Sequence, residues 1–114
     1  MQICHKEEAE KFENASTCMV YEYGKISDND INGAVGIING RYPEEGLVTN
    51  EECKELVYVI KGEGKIVITD VEHKLKEGTM ILIDKGEKYF FEGQMEILMP
   101  CTPAWYPEQH KEII

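Results

Sequence analysis

Basic side chains are scarce in this sequence. Of its 114 residues only 12 are Lys or Arg, against 22 Asp or Glu, which gives a formal net charge of −10. Nucleic acids and anionic membrane surfaces are bound through basic patches, so we expect neither as a partner. Residues 1–12 are polar and charged rather than an export signal, and we therefore expect a soluble cytoplasmic protein.

Long apolar runs and closely paired cysteines are also missing. No run approaches the roughly 20 residues of a membrane-spanning helix. The cysteines, Cys4, Cys18, Cys53 and Cys101, form no CxxC pair. Without an export signal we expect them to stay reduced, and we expect Cys53 and Cys101 to be buried, unreactive thiols.

Short apolar segments separated by turn residues make up most of the chain. Early examples are CMVYEY from Cys18 and AVGII at 34–38, which ends at the reversal signal Asn39-Gly40. Late examples are TMILI, KYFFE and MEILM, the last two divided at Gly93-Gln94. About seven or eight such strands at this spacing are typical of a β-sandwich or barrel. We predict one all-β domain, with residues 1–16 as a leader containing at most a partial helical turn, 17–100 as the barrel and 101–114 as an extended tail.

The stretch ELVYVIKGEG, residues 55–64, is the centre of this pattern. An apolar strand at 56–60 is followed by a glycine-rich segment and a second apolar strand at 65–71, which predicts a hairpin. Several strands, including VYVI, KIVI, MILI and EILM, are apolar on both faces. Because an outer face of this kind needs a cover, we predict a homodimer, with a second internal layer as the alternative.

Residues 55–92 resemble the cupin superfamily of double-stranded β-helix (jelly-roll) barrels. Glu55 and Gly62 keep the six-residue spacing of the first cupin motif, and the second motif is matched by Gly78 and the Asp84-Lys85-Gly86 turn, with Tyr89 at the position of its histidine. The resemblance implies a jelly-roll barrel with a site in its lumen.

Cupins usually hold a divalent metal with three histidines and a glutamate, and of these four residues only the glutamate, Glu55, is present. The paired histidines fall in VTNEECKE, at Val48 and Asn50 or at Thr49 and Glu51. Imidazole is the usual nitrogen ligand of transition metals, so we predict no tightly bound transition metal. The alternative is a divalent metal held weakly by Glu55 and Glu51.

Strand alternation places the first candidate site residues. Glu55 shares a face with Val57 and Val59, so in the lumen it would be a buried carboxylate suited to acid or base catalysis; at the rim it would be an ordinary solvated carboxylate. Tyr89 and Phe91 also share a face. The Tyr89 hydroxyl could bind a ligand or relay a proton, or the ring could simply fill the lumen.

Other candidates lie in loops and in the tail. Arg41, the only arginine, is predicted at the barrel mouth, where it would bind a carboxylate or phosphate unless it pairs with a glutamate. Asn50 and Glu51 are predicted ligand-binding residues. Trp105 is predicted either as a lid or as a clamp that seals the core. The histidines, His5, His73 and His110, lack ligand spacing and are predicted to be surface residues.

We therefore expect a protein that binds a small polar or anionic metabolite in the barrel lumen, without a required cofactor. One alternative is an acid–base enzyme of the isomerase, lyase or cyclase type that uses Glu55 and Tyr89. Another is a metal-dependent enzyme with oxygen ligands. The residues alone do not decide whether the protein is catalytic.

Overall fold

The computed structural model describes all residues, 1–114, and confirms an all-β fold. The strands are β1 (Glu10–Ala15), β2 (Cys18–Glu22), β3 (Asn32–Tyr42), β4 (Leu47–Asn50), β5 (Lys54–Ile68), β6 (Val71–Lys76), β7 (Met80–Ile83), β8 (Lys88–Thr102) and β9 (His110–Ile113). They form one curled, antiparallel sheet in the order β1-β2-β3-β8-β4-β9, with β5 also pairing with β6, β7 and β8. Two single-turn 3-10 helices are present, at Lys6–Glu8 and Pro107–Gln109. Neither has the length or hydrophobicity of a transmembrane helix.

Three glycines mark a bend shared by neighbouring strands, where the sequence had suggested turns. Gly40 on β3 pairs with Gly93 on β8, which pairs with Gly64 on β5. A Cβ on Gly93 would lie 2.5 Å from the Gly64 Cα, so the two backbones approach more closely than any side chain would allow. The predicted hairpin in 55–71, the reversal at 39–40 and the break at 93–94 are therefore wrong. Each glycine lets a continuous strand bend so that the sheet can curl.

Both terminal segments belong to the sheet. β1 pairs with β2, and β9 pairs with β4. Residues 1–16 were expected to form a leader with at most a partial helical turn. The turn is present as the 3-10 helix, but β1 lies in the same segment. Residues 101–114 were expected to form an extended tail, and this tail ends in strand β9. β1 escaped prediction because five of its six residues are exposed, so its sequence lacks the apolar alternation of a half-buried strand.

The barrel core is built by alternate residues of the long strands. On β5, Val57 and Val59 are fully buried, whereas the intervening Leu56, Tyr58 and Ile60 are each more than a third exposed. Within a single chain, therefore, the outer face of this strand is not covered by a second layer, which rules out the internal cover considered above.

Candidate functional site

A cavity of about 130 Å³ lies inside the barrel. Its walls come from β1, β2, β3, β5, β8 and the C-terminal segment. It reaches the surface beside the exposed Gly24 and Ile26 of the β2–β3 loop. Most of its lining is apolar. The residues with polar groups among the lining are Asn14, Cys18, Glu22, Tyr23, Asn32, Tyr42, Glu55, Tyr89, Cys101, Trp105 and His110.

Glu55 is the buried carboxylate of this cavity, with 6% of its surface exposed. It faces Cys101 across the β5–β8 pair, and the Cys101 thiol donates a hydrogen bond of 3.2 Å to Glu55 Oε2. No other protein group donates to the carboxylate. Burial raises the pKa of Glu55 to about 7, and the thiol hydrogen bond opposes this shift only in part. The prediction of a lumen carboxylate suited to proton transfer therefore has a geometric basis.

A chain of buried amides behind the cavity fixes the orientation of Asn50. The backbone N–H groups of Glu52 and Cys53 both donate to Gln109 Oε1 at 3.2 Å, so the Gln109 amide nitrogen must point the other way. It donates to Asn50 Oδ1 at 2.9 Å. The Trp105 indole N–H, which can only donate, reaches the same oxygen at 3.2 Å. Asn50 Oδ1 is therefore an acceptor that cannot be exchanged with the amide nitrogen.

This orientation determines the tautomer of His110. His110 Nδ1 lies 2.8 Å from Asn50 Oδ1, and since that oxygen only accepts, Nδ1 carries the hydrogen. In the neutral ring Nε2 is then an acceptor, and the Tyr42 hydroxyl donates to it at 3.3 Å. Burial lowers the pKa of His110, which keeps the ring neutral. Asn50, His110 and Tyr42 thus form a hydrogen-bonded chain that ends at the cavity.

Tyr89 and Phe91 line the cavity together, as predicted from their shared parity. Their rings meet edge to face with centroids 5.5 Å apart. Tyr89 is 3% exposed, and the polar side chain beside its hydroxyl is that of Asn50, whose amide oxygen already accepts three hydrogen bonds. Burial, with Glu55 close by, raises the pKa of Tyr89 well above its usual range. The hydroxyl is thus a neutral donor available to a ligand.

Three predicted ligand-binding residues lie outside the cavity. Arg41 donates to the carbonyls of Pro43 at 2.6 Å and Gly46 at 2.9 Å, and its guanidinium stacks 3.8 Å from the centre of the Phe90 ring. The prediction that it binds a ligand at the mouth is not supported, because neighbouring residues of a strand point to opposite faces and Tyr42 points inward. Glu51 is exposed on a loop and lines no part of the cavity. Asn50 lines no part of the cavity either; its side-chain oxygen accepts the hydrogen bond from His110 Nδ1 and so orients the ring.

Several solved structures resemble this fold at low sequence identity. Pac13, described as a unique nucleoside dehydratase, superimposes with a TM-score of 0.88 at 17% identity over 97% of this chain and 89% of that chain. The polyketide cyclase RemF from Streptomyces resistomycificus has a TM-score of 0.75 at 15% identity, over 100% and 86%. An RmlC-like cupin from Shewanella frigidimarina has a TM-score of 0.72 at 14% identity, over 90% and 94%. The chain has the cupin fold. No protein family model and no curated protein sequence matches it.

The usual metal centre of cupins does not fit the donors in this barrel. No group of three or more His, Cys, Asp or Glu side chains is arranged to hold a metal ion. Glu55 has a thiol as its only hydrogen-bond donor, and His110 already uses both ring nitrogens. Glu51, the second oxygen ligand considered from the sequence, is not brought to Glu55.

Sequence reasoning missed two residues of this cavity, His110 and Tyr42. His110 was predicted to be a surface residue, but it is partly buried and lines the cavity. The signal for Tyr42 was present, because a strand through Ala34 and Ile38 puts position 42 on the same face. No comparable local signal exists for His110, whose register with Asn50 is set by the pairing of β4 with β9.

Proposed function

We propose that this cupin is a metal-independent acid–base enzyme of the lyase type, which eliminates water from a small hydroxylated, ring-bearing molecule. The observation that carries this proposal is that one cavity contains two proton-transfer groups that burial keeps uncharged. Burial raises the pKa of the Glu55 carboxyl, which favours the protonated acid, and lowers that of the His110 ring, which favours the neutral base. A protonated acid and a neutral base in one cavity can give and take a proton in the same turnover.

In the proposed reaction His110 is the base and acts through Tyr42. The Tyr42 hydroxyl passes its proton to His110 Nε2 while it accepts a proton from a carbon atom of the substrate. Burial raises the pKa of Tyr42, so a free phenolate would be unfavourable in the cavity. Because the hydroxyl gives one proton while it accepts another, no phenolate forms. The electron pair of the broken C–H bond forms the C=C bond, and the C–O bond breaks.

Glu55 is the proposed acid. At neutral pH a carboxyl with a pKa of about 7 is protonated in roughly half of the molecules. It gives its proton to the departing hydroxyl, which leaves as water. The next turnover requires the carboxylate to regain a proton and His110 to lose one, so the ionisation states return to the start. Tyr89, a neutral donor beside Glu55, would orient the substrate.

The likeness to a dehydratase supports the reaction class. Pac13 is a nucleoside dehydratase, and three of its single-residue variants, one at a histidine and two at tyrosines, have been solved with uridine. The cavity described here is also lined by a histidine and by tyrosines. Uridine is therefore the first probe that we would use.

The test combines binding with a search for chemistry. Trp105 is the only tryptophan, so its indole N–H signal in a ¹⁵N spectrum reports ligand entry at one site. Nucleosides, uridine first, and small polyhydroxy compounds would be titrated and then incubated in D₂O, with mass spectrometry for loss of water or gain of deuterium. We expect the reactive compound to lose turnover in Glu55→Gln and to retain it in Glu77→Gln, which removes an exposed charge of the β6–β7 turn. Equal turnover in Glu55→Gln would contradict the proposal.

We also propose that the protein is a homodimer. The outer face of β5 pairs Leu56 with Leu82, and Tyr58 with Met80 and Leu98. Met80 and Leu82 are about 60% exposed. A contiguous apolar face of this kind on a single chain is typical of a protein–protein interface, and a two-fold symmetric partner would cover it with the same face.

A further inference from the structure

The cavity contains carboxylates but no lysine or arginine. Glu55 lies at its inner wall and Glu22 near its mouth, and none of its 21 lining residues is basic apart from His110. Burial raises the pKa values of the lining thiols of Cys18 and Cys101, so both stay protonated. Every charge that the cavity carries at neutral pH is therefore negative.

The basic side chains near the cavity bind other groups of the protein. Arg41 binds backbone carbonyls, as described above. Lys25, the lysine of the loop at the cavity opening, forms an ion pair with Glu8. An anionic ligand would thus enter a low-dielectric space without a counter-charge, which is strongly unfavourable. This removes the support for the anionic metabolite considered from the sequence.

The same walls suit a positive charge. One Glu55 oxygen accepts only from a thiol, which is a weak donor, and the other accepts no protein hydrogen bond. Aromatic rings line the cavity on several sides, namely Tyr23, Tyr42, Tyr89, Phe91 and Trp105. Ring faces attract cations, most strongly where water is excluded.

The cavity size limits the ligand. An apolar protein cavity of about 150 Å³ holds a benzene molecule. The 130 Å³ present here therefore accommodates about one six-membered ring, with any larger part of the ligand extending past Gly24.

We infer that this cavity also binds ring compounds carrying a protonated amine, held by the Glu55 carboxylate and the surrounding aromatic rings. The inference does not rest on the proposed function, because it concerns the ionised form of Glu55, whereas the proposed elimination uses the protonated form. A bound amine would therefore compete with the substrate of that elimination.

Three probes of similar shape but different charge test it: benzylamine, benzyl alcohol and benzoate, titrated at about pH 8, where Glu55 is largely ionised. The readout is the Trp105 indole signal. We expect benzylamine to bind at least about tenfold more tightly than benzyl alcohol, and benzoate to bind more weakly than either. Glu55→Gln should remove most of the benzylamine preference. Glu77→Gln, with the same change in net charge on an exposed turn, should preserve it.

Benzoate binding as tightly as benzylamine would overturn the inference, as would a benzylamine that leaves the indole signal unmoved at its highest concentration. An equal loss of preference in Glu77→Gln would also overturn it, because the selectivity would then come from the net charge of the whole protein. If Glu55→Gln does not fold, Glu22→Gln at the mouth gives the second measurement, with a smaller expected loss. None of these binding results would alter the outcome of the elimination assay, which measures turnover in the same variants. The two proposals can therefore fail separately.

Discussion

Replacing Glu55 with glutamine should stabilise this protein in alkaline solution and leave its stability almost unchanged in acid. Glutamine has nearly the same shape as glutamate, and its amide oxygen can still accept from the Cys101 thiol. It removes only the cost of holding a carboxylate in the barrel. A folded-state pKa of about 7 in place of 4.5 corresponds to about 3 kcal/mol of unfolding free energy. For a domain of 114 residues this is roughly 12 °C in melting temperature.

The direction of the pH effect follows from where the proton is bound more tightly. Between about pH 4.5 and pH 7 the folded protein keeps the Glu55 proton that the unfolded chain releases. The contribution of Glu55 to stability is therefore most favourable below about pH 4.5, declines up to about pH 7 and is constant above it. The variant lacks this decline, so the two unfolding curves should coincide near pH 4 and separate by about 3 kcal/mol near pH 8.

Urea denaturation across this pH range measures the separation, at one protein concentration because a dimer's stability depends on concentration. Glu77→Gln is the matched control, since it removes an exposed carboxylate and should follow the original protein at every pH. A constant difference between Glu55→Gln and the original protein from pH 4 to pH 8 would refute the reasoning. So would a variant that is less stable at pH 8.

Three further predictions concern the proposed base His110, the proposed dimer interface at Leu82 and the strand bend at Gly93. In ¹⁵N NMR, His110 should be the Nδ1–H tautomer and titrate below 6.5, because burial lowers its pKa; an Nε2–H ring or a charged ring at pH 7 would disprove the assigned chain. Leu82→Asp should convert a dimer to a monomer in analytical ultracentrifugation, whereas Ile31→Asp, on an exposed loop, should not; an unchanged mass for Leu82→Asp would rule out this face. Gly93→Ala should lose more than about 2 kcal/mol of stability in urea, because its new Cβ would lie 2.6 Å from the Glu63 carbonyl oxygen; a loss as small as that of Gly24→Ala, where the Cβ has open space, would count against the bend.

The fold was predictable to the level of strands and fold family, but not to the level of their continuity. A glycine between two apolar segments disrupts local strand propensity equally whether the chain turns or bends. What distinguishes the two here is the alignment of Gly40, Gly93 and Gly64 across three strands. That alignment depends on pairing between residues far apart in sequence, which no local pattern contains.

The inward-facing part of the site followed from strand parity. Glu55, Tyr89 and Phe91 were predicted in the lumen and line the cavity. Arg41 was assigned by a different argument, from its rarity and its chemistry. The parity argument would have turned it outward, because Tyr42 next to it lies on the inner face. Chemical suitability without a geometric constraint was the weaker guide.

The C-terminal segment explains why the proposed base could not be found from the sequence. In one of the two placements that the cupin resemblance allows, Asn50 takes the position of one of the paired histidines, and an amide there would be a poor replacement for an imidazole. Its oxygen instead accepts the Nδ1 hydrogen of His110, which the β4–β9 pairing brings into register with it. The cavity thus contains one imidazole, which β9 supplies and which a hydrogen bond to Asn50 holds in place. An imidazole held in this way has its free lone pair directed at Tyr42 and serves proton transfer, whereas a metal site would need that lone pair together with further ligands that the cavity does not provide.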